Sequence, residues 1–151
     1  FAAFVLAQVV LQTPVGSASD RYGRRPFIVA GLVLLVPTTL AQGFVVTSWG
    51  MLFARLGQGV AGALVFAPAL ALAGDLAREG QSGTQLSVLT MAFGLGTAVG
   101  PLASGALVSF GFAVPFAFGA SLAALAAVLV YSQVEETVGT SATERQAAPQ
   151  D

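Results

Sequence analysis

Apolar residues fill five long stretches of this chain, at about 1–16, 26–46, 48–77, 85–109 and 113–134, and polar residues gather in the short connections between them. The stretches have almost no polar face. Crossing a bilayer takes roughly 20 mostly apolar residues at about 1.5 Å rise each, so every stretch reads as a membrane-spanning helix, the first lacking its beginning. The connections alternate in charge. The one at 19–25 carries Asp20, Arg21, Arg24 and Arg25, the one at 74–84 carries Asp75, Arg78 and Glu79, and those at 46–49 and 110–112 carry none. Successive crossings produce this alternation. The positive-inside rule then assigns both arginine-bearing turns to the cytoplasm. The polar tail at 135–151 falls on the same side and is expected to be disordered. The expected fold is an all-α polytopic membrane protein, a bundle of five transmembrane segments over 1–134 followed by that tail.

Composition narrows the chemistry. Hydrophobic residues make up 56% of the chain and charged residues 9%, with mean hydropathy +0.83. Soluble domains carry about a quarter charged residues, so a water-soluble bundle is excluded in favour of a multi-pass protein of the cell membrane. The chain has no His and no Cys, which removes His-based triads, thiol nucleophiles, disulfides and His or thiolate metal sites. Its six basic residues are all Arg, so a nucleotide-binding loop ending in Lys is absent, and no cofactor is expected. Its net charge of −1 offers nothing to nucleic acid. The acidic residues lie in connections, at one span end and in the tail, which leaves a membrane enzyme without a general base; the protein is read as a non-enzyme. Phe1 stands inside an apolar run where Met would begin a chain, and is read as a cut through a larger protein.

Three motifs stand out in order. The first is Gly16-Ser17-Ala18-Ser19-Asp20-Arg21-Tyr22-Gly23-Arg24-Arg25. Gly23 permits a tight reversal, and Asp20 sits at a helix end beside several Arg with which it can pair. The second is Arg55-Leu56-Gly57-Gln58-Gly59 in the third stretch, with Arg55 roughly 10 Å inside the outer end of its span. An intramembrane charge costs at least a few kcal/mol unless paired or hydrated, so Arg55 is either functional or snorkels to the outer interface. The third is Gly96-Thr97-Ala98-Val99-Gly100-Pro101-Leu102-Ala103-Ser104-Gly105. Gly59 and Ala63, Gly96 and Gly100, and Gly100 and Ser104 are each four apart, lining helix faces with small side chains that let backbones approach. Pro37, Pro68 and Pro101 each remove a backbone hydrogen bond inside a span.

Together the motifs resemble the major facilitator superfamily. The first is similar to its signature loop between the second and third helices, or the eighth and ninth. The second is similar to its fourth-helix element, and the third to the fifth-helix motif of its antiporter branch. In that last motif Ser104 replaces a glycine, and Ser87 stands where an earlier glycine is expected. The resemblance covers nearly the whole chain apart from the tail, and implies a partial bundle corresponding to helices two to six, with helices eight to twelve as the alternative. It implies a latch made by the loop residues Gly16, Asp20, Arg21, Gly23, Arg24 and Arg25 against the missing remainder of the transporter. It implies a role for Arg55 near the transport path. Gly59, Gly96, Gly100, Pro101 and Gly105 are the expected packing and kink positions.

Gln8 and Gln12 share a face of the first segment, and Gln42 and Gln58 are the other amides in spans. Such groups either line a substrate path or join helices. Phe66, Phe93, Phe116 and Phe118 are read as packing or lipid contacts. The function implied is secondary active transport of a small solute by alternating access, in its most specific form drug or metabolite efflux coupled to an ion, the proton. Uptake, sugar or organic-ion transport, and a non-transporting scaffold are the alternatives. The expected partners are substrate, coupling ion, lipid bilayer and the rest of the protein.

Overall fold

The computed structural model describes residues 2–76 and 84–133, which form five long helices. They are α1 (Ala2–Tyr22), α2 (Arg24–Phe44), α3 (Ser48–Leu76), α4 (Thr84–Leu107) and α5 (Val114–Gln133), with a 3-10 turn at Val108–Phe110 after α4. All five are long and apolar enough to cross a membrane. No strand occurs among the described residues. The tail at 135–151, and Arg78 and Glu79 of the second charged connection, lie outside them.

The helix ends follow from local chemistry. The first span does not stop near Gly16 but continues as helix to Tyr22, and the expected loop at 19–25 is reduced to a single residue, Gly23. Ser17 and Ser19 donate to the carbonyls of Pro14 and Gly16 at 3.0 and 2.8 Å, turning their hydroxyls back into the helix they belong to. Gly23 takes φ 96° and ψ 147°, which a side chain rarely tolerates, and the chain reverses there. α2 ends at an extended Val45, and Thr47 starts α3, its Oγ1 accepting the Gly50 N–H at 3.2 Å in the manner of an N-cap. Pro14, Pro37, Pro68 and Pro101 all lie within helices. Membrane helices accept such interruptions because neighbouring groups satisfy the freed carbonyls.

α3 is the organising element. It packs against α1 on one side and α2 on the other, and α2 carries α5 on its far flank. Small residues set these distances. Ala61 and Ala63 of α3 are fully buried. A side chain at Gly59 would run into the Phe4 carbonyl oxygen of α1, and one at Gly31 would begin 2.8 Å from the Leu64 and Val65 side chains and 2.9 Å from the Ala61 carbonyl oxygen of α3. The backbones therefore touch directly at both places, as helices in lipid must when no hydrophobic expulsion drives them together. Ile28 and Leu32 of α2 and Ala127 of α5 form a small buried cluster, with Val65, Ala126 and Val130 against it.

α4 stands apart. None of the residues in its most apolar stretch is buried. It meets α3 through an edge-on contact of Phe93 with Phe66, ring centroids 5.7 Å apart. Among the described residues, nothing beyond the local helix lies within 4 Å of where a side chain at Gly96, Gly100 or Gly105 would begin, and Pro101 is exposed. The small-residue face expected on this helix is thus present but meets no partner among the described residues, unlike Gly59.

Replacing Gly59 by Ala is expected to destabilise the protein by about 1–3 kcal/mol, the usual range for forcing extra volume into a filled contact. The measurement is the thermal unfolding of the full-length protein in detergent; an unaltered midpoint would mean that α1 and α3 do not touch there.

Candidate translocation site

On a helix, positions three, four and seven apart share a face, so Arg55, Gln58 and Gly62 line up along one side of α3. That side borders a cavity of about 370 Å³. α1 contributes Phe4 and Gln8 to its wall, α2 contributes Leu35, and Val65 and Phe66 complete the α3 side. The absence of a side chain at Gly62 makes room for Gln8, whose Cδ lies 3.4 Å from the position a Cβ there would take. Three of the polar residues singled out from sequence, Gln8, Arg55 and Gln58, therefore share one cavity. Gln12, one turn further along α1, is not among the lining residues.

The polar groups form a short chain. Arg55 Nη1 donates to Gln58 Oε1 at 3.1 Å, and Gln58 Nε2 reaches Thr39 Oγ1 of α2 at 3.5 Å. Gln58 thus turns its acceptor toward the cation and its donor toward the neighbouring helix. The only ion pair among the described residues is Asp20–Arg24, so Arg55 has no carboxylate partner there. A guanidinium has five N–H donors and no acceptor, and the one Arg55 bond leaves capacity for water or a ligand oxygen in the cavity. Arg55 and Gln58 are both partly buried.

Thr39 was not singled out in sequence, since a lone threonine in an apolar run resembles many others; its role depends on α2 lying beside α3. Gln42 has a different fate from Gln58. It is 1% exposed, and its amide donates to the Thr38 carbonyl at 3.1 Å, one turn back on its own helix. Phe66 serves both as cavity wall and as the contact to α4.

At the charged end, the motif residues separate. Asp20 and Arg24 pair across Gly23 at 3.2 Å. With the Asp20 side chain 57% exposed, such a pair contributes no more than about 1 kcal/mol. Arg25 donates to the backbone carbonyl of Tyr131 on α5 and sits over the Tyr131 ring, 4.9 Å from its centroid. Arg21 is exposed, and a side chain at Gly16 would begin 3.9 Å from Ala67 of α3. The Asp20–Arg24 and Arg25–Tyr131 contacts therefore lie within this chain, whereas the expected latch reached to another part of the protein.

The family model described as Major Facilitator Superfamily matches residues 1–150. A protein of Methanocaldococcus jannaschii described as the uncharacterized MFS-type transporter MJ1560 is 35% identical over 139 residues, covering 91% of this chain and 36% of that protein. Multidrug resistance protein 2 of Bacillus subtilis is 28% identical over 127 residues, covering 84% of this chain and 32% of its own length. The inner membrane transport protein YajR of Escherichia coli K12 is 35% identical over 94 residues, 62% of this chain and 20% of that one. The chain thus spans no more than 36% of the length of these curated relatives.

Because the chain contains no cysteine, single thiols can be introduced as reporters. Gln8→Cys should react with a charged, water-soluble thiol reagent about tenfold faster than Leu125→Cys, which is exposed on α5, since only a hydrated thiol ionises to the reactive thiolate. Equal labelling rates would mean that the Gln8 cavity does not hold water.

Proposed function

The chain belongs to the major facilitator superfamily, and on that premise we propose that it is part of a secondary active transporter that moves a small solute by alternating access. Its helices form a multi-pass membrane protein. The observation that carries the functional reading is Arg55, a cation within a span, with a neutral amide in place of a counter-ion and a cavity beside it. A charge in such a place costs at least a few kcal/mol, which hydration or a bound anionic or carbonyl group of the substrate offsets. Gln8 and Gln58 add donors and acceptors to the same wall, and Phe4 and Phe66 supply apolar surface. Polar points on an apolar wall suit an amphipathic organic solute.

Efflux of drugs or metabolites is the specific form of this proposal. Its support is that one relative is described as a multidrug resistance protein. In this reading the driving ion is the proton. Among the described residues no carboxylate lines the Arg55 cavity, so the acid that exchanges the proton is assigned to another part of the protein. The turn around Gly23 faces the cytoplasm, in keeping with its three arginines. The Asp20–Arg24 pair is weak enough to give way to a latch against the rest of the protein in each cycle.

Three measurements on the full-length protein in proteoliposomes test the proposal. Solute movement should collapse when a protonophore removes the gradient; movement of candidate solutes indifferent to any ion gradient would refute coupling. Arg55→Ala should reduce turnover at least about tenfold, equivalent to about 1.4 kcal/mol, with the unfolding midpoint held. Full turnover in that variant would remove Arg55 from the path. Asp20→Asn should slow cycling severalfold with little change in substrate affinity, and wild-type rates would reduce the turn to a topology signal.

A further inference from the structure

A second groove lies at the charged end of the bundle, remote from Arg55. It runs between the start of α2 and the end of α5, encloses about 380 Å³, and is lined by Arg25, Pro26, Val29, Ala30, Val33 and Tyr131. Arg25 is the one charged group in that lining. From Arg25 to Val33 the groove follows α2 for about 12 Å, all of it apolar beyond the arginine.

We propose that this groove is a binding site for one anionic phospholipid, with its phosphate at the Arg25 guanidinium and an acyl chain along Pro26, Val29, Ala30 and Val33. The guanidinium is preorganised. The bond to the Tyr131 carbonyl and the stacking over its ring hold it at the mouth of the groove. That bond uses one of its five donors, and a phosphate takes the paired donors that remain. Among the described residues no carboxylate pairs with it, Asp20 being paired with Arg24. Tyr131 is 66% exposed and stands two residues before the end of α5, a position suited to an interfacial aromatic ring. A cation at one end and a hydrocarbon trough leading from it toward the membrane interior match a lipid in charge and shape. A free inorganic anion would use only the first of these features, and a neutral lipid only the second.

The test is a titration of the delipidated full-length protein in mild detergent, with dioleoyl phosphatidylglycerol and separately dioleoyl phosphatidylcholine, counting bound lipid by native mass spectrometry. The first phosphatidylglycerol is expected to bind about fivefold more tightly than phosphatidylcholine, the factor one near-surface arginine supplies. Arg25→Gln should bring the ratio to about one, Arg25→Lys should keep most of it, and Arg21→Gln, outside the groove, should leave it unaltered. Val33→Trp should weaken both lipids together by filling the trough. The proposal is overturned if Arg25→Gln leaves the ratio unchanged, or if Arg21→Gln lowers it equally, which would indicate a diffuse surface field. It is also overturned if phosphatidylglycerol binds only after Glu135 and Glu136 are both changed to Gln, which would give the groove to the chain's own acidic segment.

Discussion

Direct backbone contact of α3 with its neighbours is the constraint on which the remaining structure depends. In lipid, apolar side chains gain little by leaving the solvent for one another, so helices hold together by how closely they fit. At Gly59 the fit is with the Phe4 carbonyl, and at Gly31 it is with the Ala61 carbonyl and the Leu64 and Val65 side chains. These contacts, with the buried Ala61 and Ala63, fix the rotation of α3 about its axis. Once that rotation is fixed, Arg55, Gln58 and Gly62 have to fall on the side that opens between α1 and α2. The cavity is therefore a consequence of where the small residues are, and its polar lining is carried there by the helical repeat.

The charged end uses the same economy of parts. Three arginines lie within five positions, yet each meets different surroundings. Arg24 pairs with Asp20 across a one-residue reversal, Arg25 is held against α5, and Arg21 remains in solvent. One turn thereby supplies a weak ion pair, a cation fixed at the mouth of an apolar groove, and positive charge at the membrane surface. The separation arises because Gly23 ends one helix and begins another without a loop, so side chains on either side of it point along two differently directed helices.

α4 shows what a single segment cannot satisfy alone. Its Gly96, Gly100 and Gly105 carry the pattern of a packing face, but no described residue fills it, and Phe66 with Phe93 is its principal tie to α3. The comparison with Gly59 is instructive, since both motifs have the same small-residue spacing. Spacing shows that a close approach is permitted. It says nothing of which helix arrives, because one smooth face is acceptable to many partners.

Much of the architecture was legible before any coordinates. Runs of about 20 apolar residues admit only a spanning helix, since a bilayer offers the backbone no other hydrogen-bond partners, and the motif around Asp20 and Arg24 marked a turn between two of them. Arg55 and Gln58 stood out for a related reason, the cost of polarity in hydrocarbon. The end of α1 did not, because Ser17, Ser19 and Asp20 read as loop residues by type, while in place their hydroxyls and carboxylate find partners that let the helix continue to Tyr22. Only the tertiary structure distinguished Gln8 from Gln12, or Gln58 at the cavity from Gln42 folded back on its own turn. It alone brought Thr39 to Gln58 and Tyr131 to Arg25. Solvent preference acts on each residue by itself and can be read along a line, whereas these pairings join residues of different helices and exist only once the helices have chosen their neighbours and their rotation.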